Sequence, residues 1–216
     1  MFLYYSTSRC IHAASHTQKG FTLLELLITV VIAGILLTVG IPALTSSVER
    51  NRVVAEMRET NNNLAYARSE AVSSNTYVTV CARASNDACG TNWNNGLLVF
   101  NDNSTGGRGD GVRSAGEPIL RVYDGSNKKN ILTAVDITDQ RIDSIIFNSR
   151  GALYATRTGT AISTRPTRLT FTLCGQQDTS ELARALIFEI TGRAIPSRDT
   201  DGDGIHENAK GVAITC

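Results

Sequence analysis

Several groups of residues in this sequence have the types and spacing to do chemistry. Asp199-Thr200-Asp201-Gly202-Asp203-Gly204 follows the D-x-D-x-D-G opening of a calcium loop, where alternate carboxylates converge on one cation and glycine permits the sharp turn. Position twelve of such a loop is Lys210, where an EF-hand needs a bidentate Glu, so this is no EF-hand, although Glu207 could substitute from inside. The plainer alternative, which we favour, is a solvated acidic turn between two strands. Arg150, Arg157, Arg165 and Arg168 stand between Ser144 and Gln177 with no acidic residue among them, and Arg193 and Arg198 follow. Such a set can contact phosphate oxygens. Ordinary surface arginines are the plainer alternative, since Asp199, Asp201, Asp203 and Glu207 come immediately after. Catalytic types are scarce: the histidines are His12, His16 and His206, and neither a Walker-type loop nor H-E-x-x-H is present. A nucleophile–base pair would have to draw on His206, because the other two lie in the N-terminal twenty residues. We therefore expect no enzyme.

The elements that must position these groups begin with an apolar run. From Leu26 to Val48 no residue is charged, and about 20 apolar residues span a bilayer core. The preceding segment carries Arg9 and Lys19, so it stays cytoplasmic and the remainder faces the periplasm. No short apolar core with an A-x-A cleavage site marks an ordinary secretory signal. One residue disturbs a plain anchor: Glu25 lies one turn into the apolar stretch. A carboxylate in a membrane helix costs about 2.5 kcal/mol or more at mid-bilayer, and less near the interface.

The helix should continue beyond the membrane. Pro42 removes a backbone donor and predicts a kink. Val54, Met57, Leu64, Ala67 and Ala71 then form one apolar stripe, too short in heptads for a coiled coil and suited to carrying a sheet. After Asn75 the texture changes to short alternating runs. Strands are predicted at Tyr77–Ala82, Gly96–Phe100, Ile119–Tyr123, Ile131–Val135, Ser144–Phe147, Leu169–Cys174, Leu186–Ile190 and Gly211–Thr215. The organisation is an N-terminal segment 1–20, a helix 21–75 and an antiparallel β domain 76–216, an α+β class. At 42% hydrophobic, 19% charged and net charge +1, the chain of 216 residues is neither disordered nor a polycation built for nucleic acid, and 6% aromatics do not make a stacking platform for single strands.

Of the five cysteines, Cys10 precedes the apolar run and Cys81, Cys89, Cys174 and Cys216 follow it. An even count in a periplasmic domain points to two disulfides, with three pairings open. Pairing Cys81 with Cys89 and Cys174 with Cys216 would contribute about 2.6 and about 4 kcal/mol on the loop-entropy model. The absence of any C-x-x-C pair weighs against a metal tetrad.

Lys19-Gly20-Phe21-Thr22-Leu23-Leu24-Glu25 resembles the class III prepilin processing site of type IV pilins and type II secretion pseudopilins. The resemblance implies that a prepilin peptidase cuts between Gly20 and Phe21, that Phe21 becomes the N-methylated terminus, and that Glu25 docks on the N-terminal amine of a neighbouring subunit. The physics agrees, since a new ammonium beside the carboxylate offsets its burial only when subunits stack. Leu64-Ala65-Tyr66-Ala67-Arg68-Ser69-Glu70-Ala71-Val72, Val78-Thr79-Val80-Cys81 and Asn92-Trp93-Asn94-Asn95-Gly96-Leu97-Leu98-Val99-Phe100 resemble the GspH/FimT-type minor pilins and pseudopilins. That family implies a type IV pilin-like fold, a long kinked helix packed on a small antiparallel β domain. It implies a structural subunit promoting assembly of a type IV pilus or similar filament, with the FimU/FimT-type branch favoured. The H-type pseudopilin of type II secretion is the first alternative, and a DNA-binding FimT-type pilin for uptake the second. In the DNA-binding members a Gly-Arg-x-Arg motif occupies the C-terminal region; here Gly192 and Arg193 match it but Ile195 replaces the second Arg. The implied partners are other minor and major pilins or pseudopilins, the prepilin peptidase, the inner membrane and, on the last alternative, DNA. No cofactor is expected beyond calcium at the Asp199 loop.

Overall fold

In this computed structural model the chain is described for residues 20–84, 87–103, 109–125, 130–157, 167–175 and 179–216, without the side chains of Val39, Pro42 and Ala43. The segment 1–19 and Arg165 lie outside the described residues, as does the side chain at the Pro42 kink. One helix, α1, runs from Leu23 to Ser73. The chain forms two compact units, Met1–Leu44 and Thr45–Cys216, so the division falls within α1 rather than at its end.

The physical reason lies in the second half of the helix. Val53, Met57, Leu64, Ala67 and Ala71 are buried in the same core as the strands. Val53, not Val54, is the fully buried residue at the start of the stripe, and polar Glu56, Thr60 and Asn63 complete its face. Asn130 accounts for one of these: its Nδ2 donates to the Glu56 carboxylate at 2.6 Å, which removes the cost of burying that oxygen unpaired.

Two antiparallel sheets share this core. The first contains β1 (Val78–Arg83), β2 (Cys89–Gly90), β3 (Leu97–Asn101), β4 (Ile119–Tyr123), β6 (Ser144–Phe147) and β7 (Leu153–Thr156), in the order β4-β3-β1-β6-β7 with β2 also on β1. The second contains β5 (Ile131–Asp136), β8 (Leu169–Cys174), β9 (Arg184–Phe188) and β10 (Ala194–Pro196), in the order β10-β9-β8-β5. Trp93 connects them: its indole Nε1 donates to the Ile142 carbonyl at 2.7 Å, and its ring meets Phe171 edge-on at 4.8 Å. Disulfides join Cys81 to Cys89 and Cys174 to Cys216.

Several strand expectations need correction. β9 begins earlier than Leu186 and stops at Phe188, because Gly192, at φ +73°, closes a turn in which its N–H donates to the Glu189 carbonyl. The predicted strand Gly211–Thr215 is only a single bridge, Glu207 to Ala213, with the chain end tied down by Cys216. β1, β3 and β6 are buried along almost their whole length. Strands β2, β7 and β10 were not expected.

Candidate functional site

The first candidate group opens α1. The Thr22 side-chain oxygen accepts from the Glu25 backbone N–H at 3.2 Å, satisfying one of the orphan donors of the first helical turn. Glu25 therefore stands at the third helical position, where the helix dipole favours a carboxylate. Thr22 was missed as a functional residue, although T-x-x-E is the signature of a capping box. Glu25 is exposed, and so is every described apolar side chain around the helix from Leu23 to Leu37. Ile41, Leu44 and Val48 further along are exposed as well, and among the described residues no helix is long and apolar enough to cross a membrane. That much exposed apolar surface needs a cover, whether lipid or neighbouring helices.

The arginines do not assemble as one face. Arg157 pairs with Asp136 at 2.5 Å and Arg168 with Glu189 at 2.7 Å, so both charges are already answered. Burial alone would raise the Asp136 carboxyl, but hydrogen bonds from Thr138 and Gln140, together with Arg157, hold it below the ordinary carboxylate range. Arg150, Arg193 and Arg198 are exposed and make no ion pair among the described residues. Arg150 and Arg193 occupy neighbouring turns, because the Gly192 turn packs on the Gly151 carbonyl: a Cβ at Gly192 would lie 2.3 Å from it. Arg68 of α1 locks both turns, its Nε donating to the carbonyls of Gly151 and Thr191, each at 3.2 Å. Gly192 is thus accounted for by backbone geometry. Arg68 was not singled out beforehand, although it lies one turn beyond buried Leu64 and beside Ala67 on the face that enters the core.

Asp199, Asp201 and Glu207 bring carboxylate oxygens within 4.8 Å of one another, and Asp203 is not part of that group. These acids are largely occupied by their own loop. Asp199 accepts from the backbone of Gly202 and Gly204, Asp203 from Ile205, and both Glu207 oxygens from Thr200. The loop is therefore organised by Asx-type turns. Beside it, His206 Nδ1 lies 2.8 Å from the Ser197 carbonyl and 3.0 Å from its hydroxyl. A carbonyl can only accept, so Nδ1 carries a proton and cannot take one from the serine. The pair latches the loop instead of forming nucleophile and base.

Two buried carboxylates were also missed. Asp102 accepts from the Thr79 hydroxyl at 2.6 Å, Gly111 N–H at 2.9 Å and Asp110 N–H at 3.1 Å. Glu117 accepts from Asn103 and Ser114. Burial pushes both carboxyls up, against these hydrogen bonds. They close the loop between β3 and β4, a structural task.

An apolar helix opening at an N-terminal methylation motif, matched over residues 15–41, and continuing into a disulfide-tied antiparallel β unit defines a pilin-like filament subunit. Residues 56–192 match the family described as type II transport protein GspH, and the chain belongs to that family. It is accordingly a minor pilin or pseudopilin, a structural subunit whose motif implies processing by prepilin peptidase, assembly with other pilins and attachment to a membrane. Similar solved structures are two crystal forms of the type IV minor pilin FimU of Pseudomonas aeruginosa, both 25% identical. The alignments cover 69% and 67% of this chain and 91% of that one, with TM-scores of 0.46 and 0.42. No curated protein matches the chain.

Proposed function

We propose that the chain is cut between Gly20 and Phe21, that Phe21 becomes the methylated terminus, and that Glu25 docks on the terminal amine of a neighbouring subunit. Until assembly it is a single-pass protein of the inner membrane with its β unit in the periplasm, and it works without catalysis by promoting a type IV pilus or pseudopilus with other minor subunits. The observation that carries this reading is one carboxylate in the first turn of α1, whose stretch from Leu23 to Leu37 is otherwise uncharged and exposed all round. Left alone in lipid, that charge is costly; set against the amine of a stacked neighbour it is answered, which makes docking selective for processed subunits.

Glu25→Ala should leave processing and membrane insertion intact and remove the protein from sheared filaments by at least tenfold; normal incorporation would sink the docking role. Gly20→Leu should leave the precursor mass in intact-protein spectrometry, because a pocket that reads the residue before the cut has no room for a side chain.

A further inference from the structure

We propose that the groove between α1 and the open edge of β10 binds an extended, acidic segment of another protein chain, which adds a strand to the second sheet. β10 ends that sheet, and its bonds to β9 determine which of its backbone groups are spare. Glu189 N–H donates to the Arg193 carbonyl, and Ser197 N–H donates to the Ala185 carbonyl. Hydrogen-bonded pairs alternate along an antiparallel ladder, so Ala194 and Pro196 turn their backbone groups away from β9. The edge therefore presents the N–H of Ala194 and the carbonyls of Ala194 and Pro196, which have no partner among the described residues. Pro196 supplies no donor, which keeps the edge short and limits indiscriminate pairing. The complement of such a row is another extended chain.

The edge faces a second wall. Two cavities, of about 500 and about 280 Å³, lie between it and α1, and Asn61 borders both. Ala65 and Arg68 line the larger and Val54 and Arg58 the smaller, so both belong to the unit that starts at Thr45. From Arg58 to Arg68 the helix rises about 15 Å, the length of about four to five residues of extended chain. Every second side chain of an added strand enters the groove, the outer two beside the arginines and the middle one beside Ala65. Charge decides what those side chains are. Arg68 and Arg193 border the larger cavity, Arg58 and Arg184 the smaller. None of the four makes an ion pair among the described residues, and Arg58 and Arg193 are exposed. Glu189, the one acid of the two linings, is already paired with Arg168 at 2.7 Å. Two carboxylates flanking a small apolar residue at alternate positions match this arrangement. The chain's own end strands do not offer it: β4 carries Arg121, β7 has no charge, and the Asp136 of β5 is paired with Arg157. The occupant is therefore a different chain, and the groove acts independently of docking through Glu25.

The test uses the full-length chain in detergent and a fluorescein-labelled peptide, Glu-Thr-Val-Thr-Glu-amide, followed by fluorescence polarisation at low ionic strength. Saturable binding is expected. Replacing both Glu by Lys should abolish it. N-methylation of the peptide's backbone amides, which leaves its charge unchanged, should weaken binding at least about tenfold by removing the ladder bonds. Arg58→Gln and Arg193→Gln should each weaken it about threefold to fivefold, as exposed ion pairs do. Ala65→Trp, on an exposed position of α1, should fill the groove and remove binding, whereas Arg50→Gln, exposed but lining neither cavity, should leave it unchanged. The peptide variants leave the protein unaltered, so they decide the matter even if a substitution fails to fold. No saturable binding, equal binding of the Lys peptide, or an affinity unmoved by N-methylation overturns the proposal. Displacement of the peptide by duplex DNA at lower concentration than by unlabelled peptide would assign the groove to nucleic acid and overturn it too.

Discussion

At the scale of single residues, two carboxylates, exposed Glu25 and buried Asp102, separate what the sequence reveals from what it conceals. Glu25 was legible because a lone charge stands out in an apolar run. Asp102 was not: an Asp after a strand, ahead of a Gly-rich stretch, reads as a turn residue, and its hydrogen-bond donors are mostly backbone amides whose placement no side-chain pattern encodes. Only 1% of Asp102 is exposed, so Asp102→Ala strands the Thr79 hydroxyl and the Gly111 N–H without water or partner. Its expected cost is about 2–4 kcal/mol, measured as a shift of the urea midpoint at constant slope. The sign of the pH effect follows from burial. The folded state holds the Asp102 proton more tightly than the unfolded chain, so the stability it contributes is complete below the ordinary value of 3.8 and is lost as pH rises through the folded value. Glu117 acts in the same direction. Asp136 acts oppositely, its contribution being present above 3.8 and lost as pH falls below it. Asp102→Asn should therefore flatten the decline in stability between about pH 4 and neutrality. Parallel profiles for variant and wild type would contradict this account.

At the scale of elements, the long helix and most strands could be read because their apolar periodicity is strong. The elements missed share a different physics. β7 is short and buried at three of its four positions, so it offers no alternation. β10 is a three-residue edge strand ending in Pro196, recognisable only through its pairing with β9. The register of the buried stripe escaped because Glu56, Thr60 and Asn63, polar by type, are buried on that face. The disulfides act on this architecture unequally. Cys81–Cys89 spans 8 positions inside a region already paired by β1 and β2, whereas Cys174–Cys216 spans 42 and anchors a chain end with a single bridge of its own. Loop entropy assigns them about 2.6 and about 4 kcal/mol. Replacing Cys174 and Cys216 by Ser should lower the melting temperature more than replacing Cys81 and Cys89, and protease should then clip first after residue 198. Equal losses would show that unfolded-state entropy is not the dominant contribution.

At the scale of the whole molecule, the first unit exposes apolar side chains while the second buries them in a core, so the two can be assigned different tasks. The core of the second unit draws on α1 only from Val53 onward, so a chain beginning at Thr45 retains every residue of that core. It should express as a soluble protein with a single cooperative urea transition, while attachment to the membrane and entry into filaments stay with the part removed. The same fragment decides the remaining question of DNA. Two of the arginines that suggested phosphate contact, Arg157 and Arg168, are neutralised by Asp136 and Glu189, and Arg198 is followed directly by the acids of the Asp199 loop. Arg150 and Arg193 remain on adjoining turns beside Arg68, whose Nε is committed to two carbonyls. Two exposed contacts support a log–log salt slope of only about −2, since each phosphate contact contributes about −0.9. Duplex DNA should therefore bind weakly at low ionic strength and not measurably at 150 mM salt, and Arg193→Ala should remove about one unit of what slope exists. A slope steeper than about −4, or binding that survives Arg193→Ala together with Arg150→Ala, would mean that the acids and arginines of this face are arranged for nucleic acid after all, and uptake would have to stand beside assembly as a function of the β unit.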